Sequence, residues 1–296
     1  MSVRPDTTNR TAEQLKFLEA LGPISSEADP YRVHAEPLDG DANWDDELEE
    51  LHEESSRTHF LDVWTRRTLM EEIEPVVGPT AIIADLGCST GYLLADLQER
   101  WPQSLTVGVD LVSGGLRKAH AESPQSELVL GDVTKLQLPD ASVDAVVSAN
   151  LYEHVPDDLA GMREIHRILK PGGIGAVIVP SGPTIYDYYD RFLHHERRYG
   201  RHELAYRSGT AGLTVIRDAY VGSFIYPPFW AVKKNNRRKF PNLSGPELTK
   251  RVAGNIKATN DSKLGYASCA LERALVKRGI TIPFGVRSLV VVKKEA

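Results

Sequence analysis

The sequence predicts an α/β fold: a seven-stranded, mostly parallel sheet with helices on both faces, an N-terminal extension, and an insertion before the last strand. Three observations predict it. From Ala81 onward, short apolar runs alternate with segments whose apolar residues recur at helical spacing. The runs are continuously apolar, as expected of strands buried on both faces. A glycine-rich turn, Asp85-Leu86-Gly87-Cys88-Ser89-Thr90-Gly91, joins the first run to the first helix of the alternation.

Element by element, Thr58–Ile73 reads as a helix, because Phe60, Leu61, Trp64, Leu69 and Ile73 share one face. Ala81–Ala84 is the first strand, and Tyr92–Arg100 the helix after the turn. Leu105–Val109 is the second strand, ending at Asp110. Glu127–Leu130 is the third, ending at Gly131-Asp132. Val143–Ser148 is the fourth. Asp157–Leu169 is a helix, closed by Pro171-Gly172-Gly173. Ile174–Val179 is the fifth strand. His202–Ala211 is a helix, followed by a sixth strand from Thr214 to Asp218, and Val286–Val292 is the last strand. This divides the chain into an extension over 1–55 and a domain over 56–296, in which 223–281 is an insertion.

Composition narrows the function classes. The net charge is −6, with 35 Lys and Arg against 41 Asp and Glu, so the whole-chain balance does not suggest a nucleic-acid binder. Only Cys88 and Cys269 are present, which disfavours a disulfide framework or a cysteine zinc cluster. The first residues are polar, and no apolar run approaches the ~20 residues of a spanning helix. The expectation is a soluble cytoplasmic protein. Asp41, Asp45, Asp46, Glu47, Glu49, Glu50, Glu53 and Glu54 crowd the extension, a density expected of a solvated or mobile face.

The chemistry gathers at strand ends. A glycine turn between strand and helix lets backbone approach a ligand closely, and the helix N-terminus offers free N–H groups. The turn lacks the G-x-G-x-x-G spacing of a pyrophosphate binder, which disfavours a nicotinamide-dependent oxidoreductase. Asp110 ends the second strand, where a carboxylate can accept both hydroxyls of a ribose. Asp132 follows the third, where a carboxylate can accept from an adenine amino group while Val133 and Leu111 sandwich the ring. One such acid would be no more than a turn cap. Three acids in register with a glycine turn, Asp85 included, point to a nucleoside-bearing ligand at the C-terminal edge of the sheet.

Asp85–Gly91, Val109-Asp110, Gly131-Asp132-Val133, Asn150–Pro156 and Leu169-Lys170-Pro171-Gly172-Gly173 resemble, in order, the motifs of class I S-adenosylmethionine (SAM)-dependent methyltransferases. The resemblance covers roughly 60–218 plus the final strand, and its nearest subgroup is the small-molecule set that includes the ubiquinone-biosynthesis O-methyltransferases. It implies a Rossmann-like core with SAM as cofactor. The methionine part would fall to Gly87, Cys88 and Gly91, the ribose to Asp110, and the adenine to Leu111, Asp132 and Val133, with Asp85 at the start of the turn also counted among the cofactor-binding residues. Asn150 would lie near the sulfonium. Ser89 departs from the pattern, because many relatives carry glycine there.

Methyl transfer from SAM is an in-line displacement at an activated methyl group. The protein must align the acceptor and, for a hydroxyl, remove its proton. The candidates are Glu153, His154 and His195. Glu153-His154 resembles a segment that supplies ligands to a divalent ion in the ubiquinone-type enzymes. That set calls for an acid where Asn150 stands, so a metal is not required and Mg2+ is only an option. The favoured role for Glu153 and His154 is lining the site. His195 lies in a polar stretch, Asp187–Tyr199, that also resembles a segment of these methyltransferases, and its near-neutral titration suits a general base. The alternative is a salt-bridged loop.

In the insertion, Phe224–Trp230 is an aromatic cluster followed by Lys233, Lys234, Arg237, Arg238 and Lys239. Two readings are open: a substrate lid whose lysines face water, which is preferred, or a peripheral membrane contact through 224–239 that favours a lipid-like acceptor. No nucleic-acid partner is expected. The functional expectation is methylation of a small or amphipathic molecule, oxygen favoured over nitrogen or carbon. The alternative is a catalytically silent SAM-binding regulatory or assembly module.

Overall fold

The computed structural model describes residues 9–26, 28–36, 57–241, 243, 247–248, 251 and 262–296. The acidic run from Asp41 to Glu54 lies outside the described residues. The elements are α1 (Ala12–Leu21), β1 (Arg32–Val33), α2 (Phe60–Ile73), β2 (Ile82–Leu86), α3 (Tyr92–Arg100), β3 (Leu105–Asp110), α4 (Ser113–Glu122), β4 (Glu127–Leu130), β5 (Val143–Ala149), α5 (Asp158–Ile168), β6 (Leu169–Pro180), α6 (Tyr188–Phe192), α7 (Glu203–Thr210), β7 (Thr214–Val221), α8 (Tyr226–Lys239), α9 (Lys263–Val276) and β8 (Arg287–Lys293).

One sheet runs in the order β1-β4-β3-β2-β5-β6-β8-β7. The pairs from β1 to β6 are parallel, and β8 is antiparallel to both β6 and β7. The sequence anticipates a mostly parallel sheet with seven strands, and the sheet has eight. The extra strand is Arg32–Val33, only two residues long and too short to leave a periodic signature.

Strand alternation divides the core in two. Ala84, Val107, Val146, Val177 and Val290 face one side, with Phe17 of α1, Ile165 of α5 and Leu204 of α7. Ile83, Ala145, Val147, Ile178 and Val291 face the other, with Leu69 of α2, Leu97 of α3 and Cys269 of α9. Leu69, Ile73, Leu94 and Leu97 are fully buried, and each such side chain contributes about 1.5–3 kcal/mol.

The extension is not solvated throughout. In α1, Thr11 and Gln14 form a reciprocal capping box. Buried Gln14 then donates to the carbonyls of Thr80 and Gln103, tying α1 to the approaches to β2 and β3. Arg32 makes a buried ion pair with Glu127 at 2.5 Å. This pins β1 against β4.

The Pro171-Gly172-Gly173 turn also differs from expectation. Helix α5 ends at Ile168, and Leu169 is already extended. The turn lies within the β6 span, where Gly172 takes φ +84° and its N–H donates to Lys294. Among the described residues, no helix is long and apolar enough to cross a membrane.

Candidate functional site

The loop after β2 is built on left-handed residues: Gly87 at φ +76°, Ser89 at +47° and Gly91 at +84°. A Cβ on Gly91 would come within 2.8 Å of Ala119 Cα, and one on Gly87 within 2.9 Å of Leu151 Cβ. Glycine is therefore needed at both places, for conformation and for space. Ser89 holds its unusual φ while its N–H donates to Asp110 Oδ2 at 2.8 Å. That tie holds the loop in its left-handed turn at a residue other than glycine. The N–H groups of Gly87 and Cys88 donate to Val109 O, joining the loop to the end of β3. The Cys88 thiol is buried among Tyr31, Leu94 and Leu116.

Asp110 also accepts from Val112 N–H through Oδ1, at 3.0 Å. It therefore shapes the loops as a turn cap does, and its second lone pairs remain for a ligand. Burial raises its pKa even against those backbone donors. Asp132 accepts from the N–H and the hydroxyl of Thr134 at 2.8 and 2.7 Å. Burial opposes its ionisation, but those donors and Lys135 outweigh burial and hold it below the usual carboxylate range. Val133 beside it is buried, and Leu111 is half-buried.

The buried side-chain oxygens that lack a hydrogen-bond partner among the described residues are Asp85 Oδ2, Asn150 Oδ1 and both oxygens of Glu153. All belong to β2 or to the turn after β5, at the C-terminal edge of the sheet. Such atoms are costly, and their concentration makes this edge the candidate ligand site. Burial, with Asp110 as a lesser cause, pushes Asp85 up to about 8. Burial likewise pushes Glu153 up to about 8. Asn150 itself adopts φ +52°, a strained turn directly behind β5.

Glu153, His154 and His195 come together, with ligand atoms within 4.8 Å of one another. The turn after β5 supplies the first two, and the loop after α6 supplies His195. Glu196 N–H donates to Glu153 O at 2.8 Å, which fastens the two segments. The rings of His154 and His195 meet edge to face at 4.8 Å. His195 Nδ1 lies 2.9 Å from Asp190 Oδ1, and its Nε2 lies 3.9 Å from Glu153 Oε1. Burial lowers the His195 pKa, with Asp190 opposing and the net effect downward. That shift favours the neutral ring. With Nδ1–H donated to Asp190, Nε2 is left as the open lone pair.

Asp190 is the node of this region. It accepts from Arg198 Nε at 2.6 Å and from Lys233 Nζ at 3.3 Å, and Lys233 also reaches Asp187 at 2.6 Å. Lys233 comes from α8, so the preferred reading of water-facing lysines is corrected at this position. Its ammonium is buried against Phe229 and Tyr189. Phe229 and Lys233 are four apart on α8, a spacing that places both on one face. That spacing was the sequence signal for the contact. Arg237 donates to Thr184 O, whereas Lys234, Arg238 and Lys239 are exposed. Glu272 of α9 accepts from Gly222 and Ser223 N–H at 3.0 and 2.6 Å, anchoring the start of the insertion. It had no sequence signal.

Residues 84–177 match a family model described as a methyltransferase domain. The chain is 36% identical to trans-aconitate 2-methyltransferase of Azoarcus sp. over 41% of its length and 47% of that protein's. It is 35% identical to malonyl-[acyl-carrier protein] O-methyltransferase of Dechloromonas aromatica, over 45% of this chain and 48% of the other. The chain spans about half the length of the curated relatives it matches. Among solved structures, phosphoethanolamine N-methyltransferase 2 of Haemonchus contortus, in complex with SAM, is similar with a TM-score of 0.61 at 14% identity. That match covers 86% of this chain and 59% of that one. Geranyl diphosphate C-methyltransferase of Streptomyces coelicolor is similar with a TM-score of 0.54 at 15% identity, over 96% and 98% of the chains. These likenesses establish the Rossmann-like methyltransferase fold.

Proposed function

We propose that this chain, which carries a methyltransferase domain over residues 84–177, transfers a methyl group from SAM to a small-molecule acceptor, oxygen being the favoured atom. The observation that carries the proposal is the set of unpartnered buried oxygens on Asp85, Asn150 and Glu153. They fit a cationic cofactor placed beside a polar acceptor. Asp85 would meet the α-ammonium. Gly87, Cys88 and Gly91 would line the methionine part. Asp110 would take the ribose hydroxyls, and Leu111, Asp132 and Val133 the adenine. Asn150 would turn its free amide oxygen toward the sulfonium. SAM supplies a methyl group already activated for displacement.

The remaining work belongs to the chain's own residues. His195 is the proposed general base, because its Nε2 is open while Asp190 fixes Nδ1. Asp190, held by Arg198 and Lys233, is a positioning residue. Glu153 and His154 line the acceptor side. The insertion serves as a lid, with α8 locked to the site through Lys233. An amphipathic acceptor is favoured by the exposed rings of Phe224 and Trp230, the latter under the Lys234 ammonium. Flotation with anionic vesicles tests whether the same face also meets a membrane.

The decisive experiment pairs SAM titration calorimetry with label transfer from methyl-labelled SAM into source-cell extract. Binding with transfer supports the proposal, and binding without transfer to any acceptor supports the silent-module alternative. His195→Ala should lower turnover by at least ~100-fold, the usual contribution of a general base, and leave SAM affinity nearly unchanged. Equal turnover refutes the base assignment.

A further inference from the structure

We infer that the outer face of α9 and the segment after it, to residue 284, form a docking surface for an anionic phospholipid bilayer. Docking itself does not depend on methyl transfer. Its consequence for catalysis rests on the amphipathic acceptor proposed above.

Two observations carry the inference. The first is an apolar stripe on α9. Gly265, Cys269 and Glu272 are buried, at spacings that put them on one face of the helix. Gly265 lies against the Phe60 ring, Cys269 joins the core cluster of Leu69 and Leu97, and Glu272 accepts from Gly222 and Ser223 N–H. The opposite face carries Leu264, Ala267, Leu271 and Ala274, spaced by three, four and three residues, and all four are exposed. Leu264 is 81% exposed and Leu271 52%. Ile280 and Phe284 are exposed in the segment that follows. One exposed leucine is ordinary, whereas a continuous stripe with further apolar residues behind it is the mark of a contact surface.

The second observation is charge. The insertion at 223–281 holds 12 of the chain's 35 Lys and Arg but only 3 of its 41 Asp and Glu, which leaves 23 against 38 for all other residues. Glu272 is the only acid of α9, and it is buried, so the exposed face of the helix has none. Lys263 at one end of the stripe and Lys277 and Arg278 at the other are exposed, as are Lys234, Arg238 and Lys239 of α8. An apolar stripe with cations at its ends matches the headgroup region of an anionic leaflet, where acyl chains receive the leucines and phosphates the cations. A nucleic acid would leave the leucines without an apolar partner. A second copy would set the basic ends of two helices together in either orientation.

The surface also lies at the ligand edge. β7 runs parallel to β6, because both are antiparallel to β8, so Gly222 and Ser223 sit at the C-terminal edge of the parallel strands. Glu272 holds α9 there. A bilayer on α9 therefore meets the edge that carries the cofactor loop, which suits an acceptor dissolved in it. The face of α8 that bears Phe229 and Lys233 stays turned inward as the lid.

The test is co-sedimentation of the full chain with vesicles of phosphatidylcholine, with and without phosphatidylglycerol, at low and high salt. Wild type should bind the mixed vesicles, release them in high salt, and ignore the neutral ones. Leu264→Ser with Leu271→Ser in one chain should weaken binding ~100-fold, about tenfold for each leucine. Lys277→Gln with Arg278→Gln should weaken it ~20-fold. Tyr206→Ser, at an exposed ring on α7 across the sheet, should bind as wild type. All these residues are at least partly free of packing, and circular dichroism with SAM calorimetry establishes that each variant is folded. No binding to mixed vesicles, equal binding to both kinds, or unchanged binding by the leucine variant overturns the inference. So does sedimentation of a dimer that the leucine variant abolishes, or an oligonucleotide that binds more tightly than the vesicles do. SAM binding without vesicle binding refutes the docking surface alone, and vesicle binding without SAM binding refutes the methyltransferase reading alone.

Discussion

Asp85 is expected to lower the stability of the ligand-free protein in order to bind its cofactor, and Asp85→Asn should separate the two effects. The carboxyl is 1% exposed, and Oδ2 has no partner. Burial raises its pKa from 3.8 to about 8. A raised folded-state pKa means that the native protein holds a proton which the unfolded chain releases above pH 4. The protonated carboxyl therefore contributes full stability below that pH, and the contribution is lost as pH rises toward 8. At 1.36 kcal/mol per unit, the shift from 3.8 to about 8 sets an upper limit of roughly 6 kcal/mol. Relaxation and water entry reduce this, and a gain of about 2–3 kcal/mol is expected for Asp85→Asn at pH 8. Asparagine keeps the shape and does not ionise, so the gain should vanish near pH 4. Denaturant unfolding of both proteins at pH 4, 6 and 8, without SAM, measures it. The same variant should bind SAM ~10–100-fold more weakly, because a charged hydrogen bond is lost. A pH-independent stability difference, or unchanged SAM affinity, refutes the reasoning.

Further expectations follow from individual contacts. Gly91→Ala places a Cβ 2.8 Å from Ala119 at φ +84°, and should destabilise by at least ~1–3 kcal/mol in the same unfolding assay. Asp110→Ala frees the N–H groups of Ser89 and Val112, and should weaken SAM binding ~10–100-fold by calorimetry. Lys233→Met leaves Asp187 and Asp190 without their shared cation. It should destabilise by about 3–5 kcal/mol and increase proteolysis within the insertion, whereas a surface lysine such as Lys234 should tolerate the same change.

Most of the parallel half of the fold was legible because its strands are short apolar runs, whereas α4, which opens on Val112 without a side-chain cap, left no signal that was read. Tyr92–Arg100 and Glu127–Leu130 have the bounds that their patterns predict. Asp85, Asp110 and Asp132 were legible as a trio because strand ends fix their place in a parallel sheet. The Asp190 node was not. Its partners Arg198 and Lys233 are 8 and 43 residues away, and only tertiary packing brings an ammonium from the insertion to that carboxylate. The role of Pro171-Gly172-Gly173 was misread for a related reason. A left-handed glycine serves a bent strand as readily as a helix end, and pairing with Lys294 decides between them.

The position of β8 bears on how the chain assembles. It is the last strand in chain order, yet it lies between β6 and β7, and β7 pairs with no other strand. During synthesis, β3 to β6 can join as they emerge, because each has an earlier partner, and β1 joins once β4 is made. β7 must wait, because among the described strands its place in the sheet exists only once 287–293 has entered. Until then β6 has a bare edge, open to pairing with another chain. A ribosome stalled before β8 would thus present a half-formed domain with its glycine loop built and its sheet incomplete.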